Sequence, residues 1–351
     1  MSRGWAPLQR CWASRGFLAR LLLPIAGLYA AAIASRGWLY RAGVLTIVRL
    51  PVPVVVVGNL VAGGAGKTPT VLALAKLLGK AGRRVGIVSR GYGGSSVGPL
   101  SVHPGSEALE CGDEPLLLRL RAGVPVFVGR DRVAAARALL LEHPEIDVIV
   151  SDDGLQHLRL GRDVQVLVFD ERGTGNGWLL PAGPLREPMP RALAPCSVVL
   201  YNASHSTTAL PGWVGQRRFA GAAALADWWR GQAPERSTLA ALKGRTLVAA
   251  AGTARPERFF AMLREAGLDI DPLPLPDHFY YSTLPWAAGT PDVIVTEKDA
   301  VKLDPARVGG SRVWVAALDF IPAPGFDAEM LRLLGRPSPS RTPPAHGNPT
   351  A

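Results

Sequence analysis

Residues 53–58 (PVVVVG) form an unbroken β-branched run, followed by a glycine-rich stretch and then by residues 67–80, where Val71, Leu74, Ala75 and Leu78 recur at helical spacing. A run apolar at every position suits a parallel strand covered on both faces, and the 3.6-residue period after it suits a helix packed on that strand. Gly82 closes the helix, and 85–89 reads as the next strand. Strands are also predicted at 124–128, 147–151 and 164–169, with helices near 113–121 and 131–142. Such β-α-β alternation specifies an α/β fold: a parallel sheet with helices on both faces.

A Gly/Pro-rich segment at 173–195 interrupts the rhythm. Alternation resumes with strands at 198–201, 245–251, 292–296 and 312–317 and a helix at 256–266. The pattern predicts a basic, apolar N-terminal region (1–45), a first α/β core (46–170), a second, smaller α/β domain completing a cleft (171–335) and a disordered Pro/Ser-rich tail (336–351).

Charge changes the picture at the N-terminus. The net charge is +11, yet residues 1–106 carry 13 Lys or Arg and no acidic side chain, against 26 basic and 28 acidic beyond. Within that stretch, residues 21–34 (LLLPIAGLYAAAIA) are uncharged and flanked by Arg3, Arg10, Arg15, Arg20, Arg36 and Arg41. Fourteen residues fall short of the roughly 20 that cross a bilayer as a helix, and Pro24 and Gly27 are expected to weaken it. The reading is a helix lying in an anionic membrane leaflet. Cys11, Cys111 and Cys196 are widely spaced, which fits a reducing compartment and neither a disulfide framework nor a zinc site.

The chemistry concentrates at turns after strands. Val61-Ala62-Gly63-Gly64-Ala65-Gly66-Lys67-Thr68 lies between a strand and a helix, where a P-loop belongs. Its backbone N–H groups and the helix N-terminus would cradle phosphates. Lys67 would reach the β- and γ-phosphates, and Thr68 would offer its hydroxyl to Mg²⁺. The loop is a variant, with Val61 at the usual first glycine. Asp152 and Asp153 end the strand at 147–151, where open α/β sheets bind ligands, and they read as Mg²⁺ carboxylates of which one meets the ion directly. Asp113-Glu114, Asp277-His278 and Glu297-Lys298-Asp299 add proton-transfer groups near turns, and Arg90 could place a guanidinium near phosphates. By composition alone Asp113 serves equally as a helix N-cap and His278 as a surface histidine.

Taken together, VPVVVVGNLVAGGAGKTP (52–69), RVGIVSRGYGG (84–94), GDEPLLL (112–118), GVPVFVGRDR (123–132), DVIVSDDGLQHLRLGRD (147–163), GNGWLLPAGPLREP (175–188), ARPERFF (254–260), LPDHFYY (275–281) and VIVTEKDAVKL (293–303) resemble the tetraacyldisaccharide 4′-kinase family of lipid A biosynthesis. The resemblance implies transfer of the ATP γ-phosphate, with Mg²⁺, to the 4′-hydroxyl of a tetraacylated disaccharide 1-phosphate, yielding lipid IV(A). It implies a P-loop NTPase-like core, a membrane-embedded glycolipid substrate and an active site on the cytoplasmic face of the inner membrane. Nucleic acid or an obligate protein partner is not implied. Asp113 and His278 are the implied catalytic pair, and Arg186 and Glu187 of the PLRE segment are implied polar contacts in the cleft. The family loop usually carries hydroxyls near Val61 and Ala65, so weaker nucleotide contacts are expected there.

Two other classes compete. A P-loop GTPase or ATPase switch, or a metallochaperone, would need a guanine-reading N-K-x-D or a metal-binding cluster, and residues 296–299 (TEKD) offer glutamate where asparagine is required. A non-enzymatic, membrane-docked nucleotide-binding protein leaves Asp113, Asp152 and His278 without a role.

Overall fold

The structure, a computed structural model, describes residues 12–335. Arg3, Arg10, Cys11 and the 336–351 tail lie outside the described residues.

Two helices come first, α1 (Phe17–Leu21) and α2 (Leu23–Arg41). The chain continues through β1 (Val54–Gly58), α3 (Lys67–Lys80), β2 (Val85–Ser89), β3 (Leu100–Val102), α4 (Ala108–Cys111) and α5 (Asp113–Ala122). Next come β4 (Val126–Val128), α6 (Arg132–Glu142), β5 (Val148–Ser151), β6 (Val164–Asp170) and β7 (Ser197–Asn202). Then follow β8 (Trp213–Ala224), α7 (Leu225–Trp229), α8 (Arg236–Ala241), β9 (Thr246–Ala251), α9 (Pro256–Glu265) and β10 (Asp269–Pro274). Last are β11 (Asp292–Thr296), α10 (Glu297–Ala300), β12 (Arg312–Pro322) and α11 (Phe326–Leu334).

The strands form one hydrogen-bonded order, β10-β9-β11-β12-β8-β7-β6-β1-β5-β2-β4-β3. Most pairs are parallel; β3–β4 and β8–β12 are antiparallel. β1 sits centrally, with Val55 opposite both Val150 of β5 and Val164 of β6. The valine run explains why. Val55 and Val57 face one side with Val71, Leu74 and Leu78 of α3, while Val54 and Val56 face the other with Ala136 and Leu139 of α6. Each such side chain, fully buried, is worth about 1.5–3 kcal/mol, so both faces demand a covering helix.

The two ends of the sheet meet through the long strands β8 and β12, paired from Trp314↔Ala224 to Pro322↔Gly215 around a bulge at Ala317/Leu318. β8 joins β7 at Leu200↔Trp213 and Tyr201↔Val214. A buried ion pair reinforces the connection: Arg121 on α5 meets Glu297 on α10, and its other nitrogen reaches Asp319 on β12 at 2.9 Å. Leu318 N–H and Trp228 Nε1–H donate to Glu297, so the buried carboxylate is satisfied on both oxygens.

One expectation is corrected at the N-terminus. Pro24 stands in the first turn of α2, where no intrahelical partner exists for its missing N–H, and the helix runs on through Arg36 to Arg41. Proline therefore starts this helix and does not weaken it. No described helix is long and apolar enough to cross a membrane.

Candidate active site

β1 ends at Gly58, where an added Cβ would lie 2.5 Å from Leu155 Cβ, so the chain enters its turn against the β5–β6 connection. The turn's carbonyls are tied back from outside. Asn59 Nδ2 donates to the Val61 and Gly63 carbonyls, Arg172 to those of Ala62 (3.1 Å) and Gly64 (3.2 Å), and Asn202 Nδ2 to that of Ala65 (3.0 Å). Asp170 fixes Arg172, and Arg217 fixes Asn202. Carbonyls engaged this way are withheld from an approaching anion, which they would repel. Gly66 closes the turn at φ +92° and α3 starts at Lys67. Val61 and Ala65 are buried in opposite cores. What Val61 and Ala65 contribute to the turn is apolar packing.

Lys67 Nζ lies 3.4 Å from Asn59 Oδ1 and 3.7 Å from Asp153 Oδ1. Asp152 and Asp153 follow β5 in a turn, with Asp153 at φ +44°, and their environments diverge. Asp153 accepts from Arg186 at 3.0 Å; although burial opposes it, the charges of Lys67 and Arg186 hold its carboxyl below the ordinary range. Asp152 is buried, accepts from Ser89 Oγ at 3.0 Å through one oxygen, and has no hydrogen-bond partner for the other. Burial, then the charges of Glu114 and Asp153, push its carboxyl up to about 7. A buried carboxylate oxygen without a partner, near the start of a helix carrying a free hydroxyl type at Thr68, suits a hard divalent cation shared with phosphates.

α5 starts at Asp113, with Gly112 as its cap and Pro115 in its first turn. Sequence alone left Asp113 open between cap and catalyst; its Oδ1 accepts from Glu114 N, and its Oδ2 lies 2.9 Å from His278 Nδ1. His278 sits 165 residues away in the loop after β10, in the left-handed region at φ +59°. Such a conformation costs a non-glycine residue about 1–3 kcal/mol and persists only where its surroundings impose it. Here its N–H donates to Gly252 O, and its ring packs on Tyr92 at 5.5 Å. Burial alone would raise Asp113, but the His278 hydrogen bond and the charges of Lys298 and Lys302 together hold it below its ordinary value. Glu114 links the two centres: it pairs with Lys298 at 3.2 Å, and its charge is felt at Asp152. α3 and α5 also pack against each other.

Of the other predicted residues, Arg186 reaches the acid beside Lys67. Arg186 is engaged by Asp153 and Gln156, and Glu187 is half-buried near Arg162. Arg90 is exposed at the end of β2. Sequence reasoning passed over Arg132, buried and donating to Asp153 O at 3.1 Å, and over Arg172, Asn202 and Arg217 behind the turn. Their only sequence signal was position just beyond the ends of β4 and β6 and at the end of β7, with none for Arg217. Lys298 and Lys302 were visible in the TEKDAVKL segment, but their reach to Asp113 was not.

Fold and site together define an α/β enzyme of P-loop type, in which the helix that carries one member of a carboxylate–imidazole pair packs on the helix that follows the glycine-rich turn. A family model described as tetraacyldisaccharide-1-P 4′-kinase (LpxK) matches residues 18–335. The tetraacyldisaccharide 4′-kinase of Methylibium petroleiphilum is 55% identical over 339 residues, covering 95% of each chain. That of Leptothrix cholodnii is 54% identical, covering 96% of this chain and 97% of its own. The crystal structure of LpxK from Aquifex aeolicus in complex with ATP is similar at TM-score 0.75 and 30% identity, covering 91% of this chain and all of that one. The chain belongs to the tetraacyldisaccharide 4′-kinase family, as its motifs led one to expect.

Proposed function

We propose that the protein transfers the γ-phosphate of ATP to the 4′-hydroxyl of tetraacyldisaccharide 1-phosphate, the lipid A kinase step, with Asp113 accepting the hydroxyl proton. The observation that carries this is the 2.9 Å contact between Asp113 and His278, coupled through Glu114 to the acids beside the phosphate turn. The turn and Lys67 hold the triphosphate. Asp152 and Thr68 are the residues that would hold Mg²⁺, with Asp153 kept as a counter-ion for Lys67 and Arg186. Bound with the nucleotide, Mg²⁺ would neutralise charge developing on the β- and γ-phosphates. Held below its ordinary pKa, Asp113 is a weak base, and a weak base suffices where a loose phosphoryl transition state leaves little proton transfer to be done before the O–P bond forms. The acceptor O–H bond breaks toward Asp113 as the new O–P bond forms and the bond to ADP breaks.

The N-terminal region supports docking at the cytoplasmic face of the inner membrane. Phe17 is 84% and Leu28 73% exposed on α1 and α2, with Leu21, Ile25 and Trp38 also largely exposed. Apolar side chains left in water beside Arg20 and Arg41 suit an anionic leaflet. α2 is tied to the site by Tyr29 Oη donating to Arg186 O (3.0 Å) and by Arg36 donating to Gln156 O (2.9 Å). A four-chain acceptor leaves a bilayer at a cost of about 0.8 kcal/mol per CH₂, so the enzyme must reach it there. We read residues 46–170 and 171–335 as two units flanking the cleft.

The test is ATP-dependent ³²P transfer to the purified disaccharide in mixed micelles. Lys67→Ala and Asp113→Ala are each expected to lower turnover at least about 100-fold. A near-normal rate in either variant refutes that residue's role, and nucleotide hydrolysis without transfer favours the switch reading.

A further inference from the structure

Lys298 lies within the ionic cluster around Asp113 and His278. It follows Glu297 at the start of α10, directly after β11, and its side chain is largely buried. Its ammonium lies 3.2 Å from Glu114 Oε1, 3.3 Å from His278 Nε2, 3.6 Å from Asp277 Oδ1 and 4.0 Å from Asp113 Oδ2. Burial alone would lower it, but Glu114, Asp113 and Asp277 outweigh burial and raise it above its ordinary value. It is therefore a cation throughout the working range.

An ammonium carries donors and no acceptor. The imidazole nitrogen facing it must present a lone pair, so His278 Nε2 is unprotonated. The ring proton then sits on Nδ1, pointed at Asp113 Oδ2. The remaining surroundings agree. Tyr92 meets the ring through its own ring at 55°. Lys302 is turned to Asp299 at 3.3 Å and to the Tyr281 face, 4.0 Å from Asp113. Among the described residues, the one acid placed to compete for an Nε2 proton is Asp277, whose Oδ1 is 3.9 Å away, beyond hydrogen-bond range.

We infer that Lys298 is a positioning residue for the phosphotransfer: its ammonium fixes His278 as the neutral Nδ1–H tautomer, so that His278 donates to Asp113 and Asp113 alone is left to accept the acceptor proton. The inference rests on the reading of Asp113 and His278 as the catalytic pair. It also assigns Asp277 a role by default: without the lysine, His278 lies between two carboxylates and gains a proton on Nε2, or shifts its proton there.

The experiment is ¹⁵N-histidine NMR of the full chain at pH 7.5, with the six histidines resolved by loss of one set of signals in His278→Gln. The wild-type ring is expected to show the neutral Nδ1–H pattern. Lys298→Met is expected to show an imidazolium or Nε2–H pattern and to lower kcat at least about 10-fold with KM for ATP unchanged. Lys298→Arg, which keeps the cation, is expected to restore the Nδ1–H pattern and most of kcat. A wild-type imidazolium or Nε2–H ring overturns the inference even if neither Lys298 variant folds, as does an Nδ1–H ring retained in Lys298→Met. His278→Gln with normal turnover sinks the catalytic pair instead, leaving the tautomer result standing.

Discussion

Asp152 sets stability against function in a way that pH should expose. Its carboxyl is fully buried and its protonation is shifted from an ordinary 3.8 to about 7. Three pKa units at about 1.36 kcal/mol each give about 4 kcal/mol as an upper bound. The sign follows from proton counting. Between pH 4 and 7 the folded protein holds a proton on Asp152 that the unfolded chain has lost. Stability from this group is thus full below pH 4 and lost as pH rises through 7. Asp152→Asn keeps an acceptor for Ser89 and places N–H where the charges of Glu114 and Asp153 are felt. The nucleotide-free variant should match the wild type near pH 4.5 and exceed it by up to about 4 kcal/mol at pH 8, while losing Mg-dependent transfer. Urea unfolding followed by tryptophan fluorescence, in chelator and without nucleotide across pH 4.5–8, measures both curves. A variant less stable than the wild type at pH 8, or an advantage that does not grow with pH, refutes the reasoning.

Two further outcomes follow from close contacts. Gly66→Ala places a Cβ 2.1 Å from Asn202 Nδ2 at a φ of +92°, so the turn must open, and ATP affinity by calorimetry is expected to fall at least about 10-fold; unchanged affinity would show that the turn does not carry the nucleotide. Arg121→Met strands Glu297 in the core and should cost about 3–5 kcal/mol in urea unfolding, with Arg121→Met/Glu297→Leu recovering part of it; a loss under about 1 kcal/mol would mean that the ion pair is not held as described.

The strands that announced themselves in the sequence are those buried on both faces. The runs at 54–58, 85–89 and 292–296 were read with ends within a residue or two, because a sheet covered on both sides keeps the interior positions of its strands apolar. β8 (WVGQRRFAGAAA) was missed since its burial is irregular and its partner, β12, is nearly a hundred residues away. β10 (DIDPLP) was missed because two prolines and two aspartates argue against a strand; it lies at the sheet edge, where proline is tolerated. The glycine-rich turn between β1 and α3 and the placement of Asp152-Asp153 at the end of β5 were legible because strand–turn–helix context is local. The roles of Arg172 and Asn202 were not, because each acts on a turn more than a hundred residues earlier in the chain, nor was that of Arg217, which acts through Asn202.

The Asp113–His278 contact depends on the same kind of long-range support, and its position in the fold shows where that support comes from. α5 is 10 residues long, about 15 Å, with Asp113 at its start and Arg121 near its end. On the facing element, Glu297 and Lys298 are adjacent. Arg121 grips Glu297, and Asp113 with Glu114 surrounds Lys298, so α5 is fastened to α10 at both ends by consecutive residues of one short helix. His278 belongs to neither element and is seated between them by Gly252 and Lys298. A single fastening would leave α5 free to swing about it; two, spaced along the helix, fix its direction. The carboxylate and imidazole therefore meet before any ligand arrives, and what the acceptor has to contribute is its hydroxyl and not the assembly of the pair.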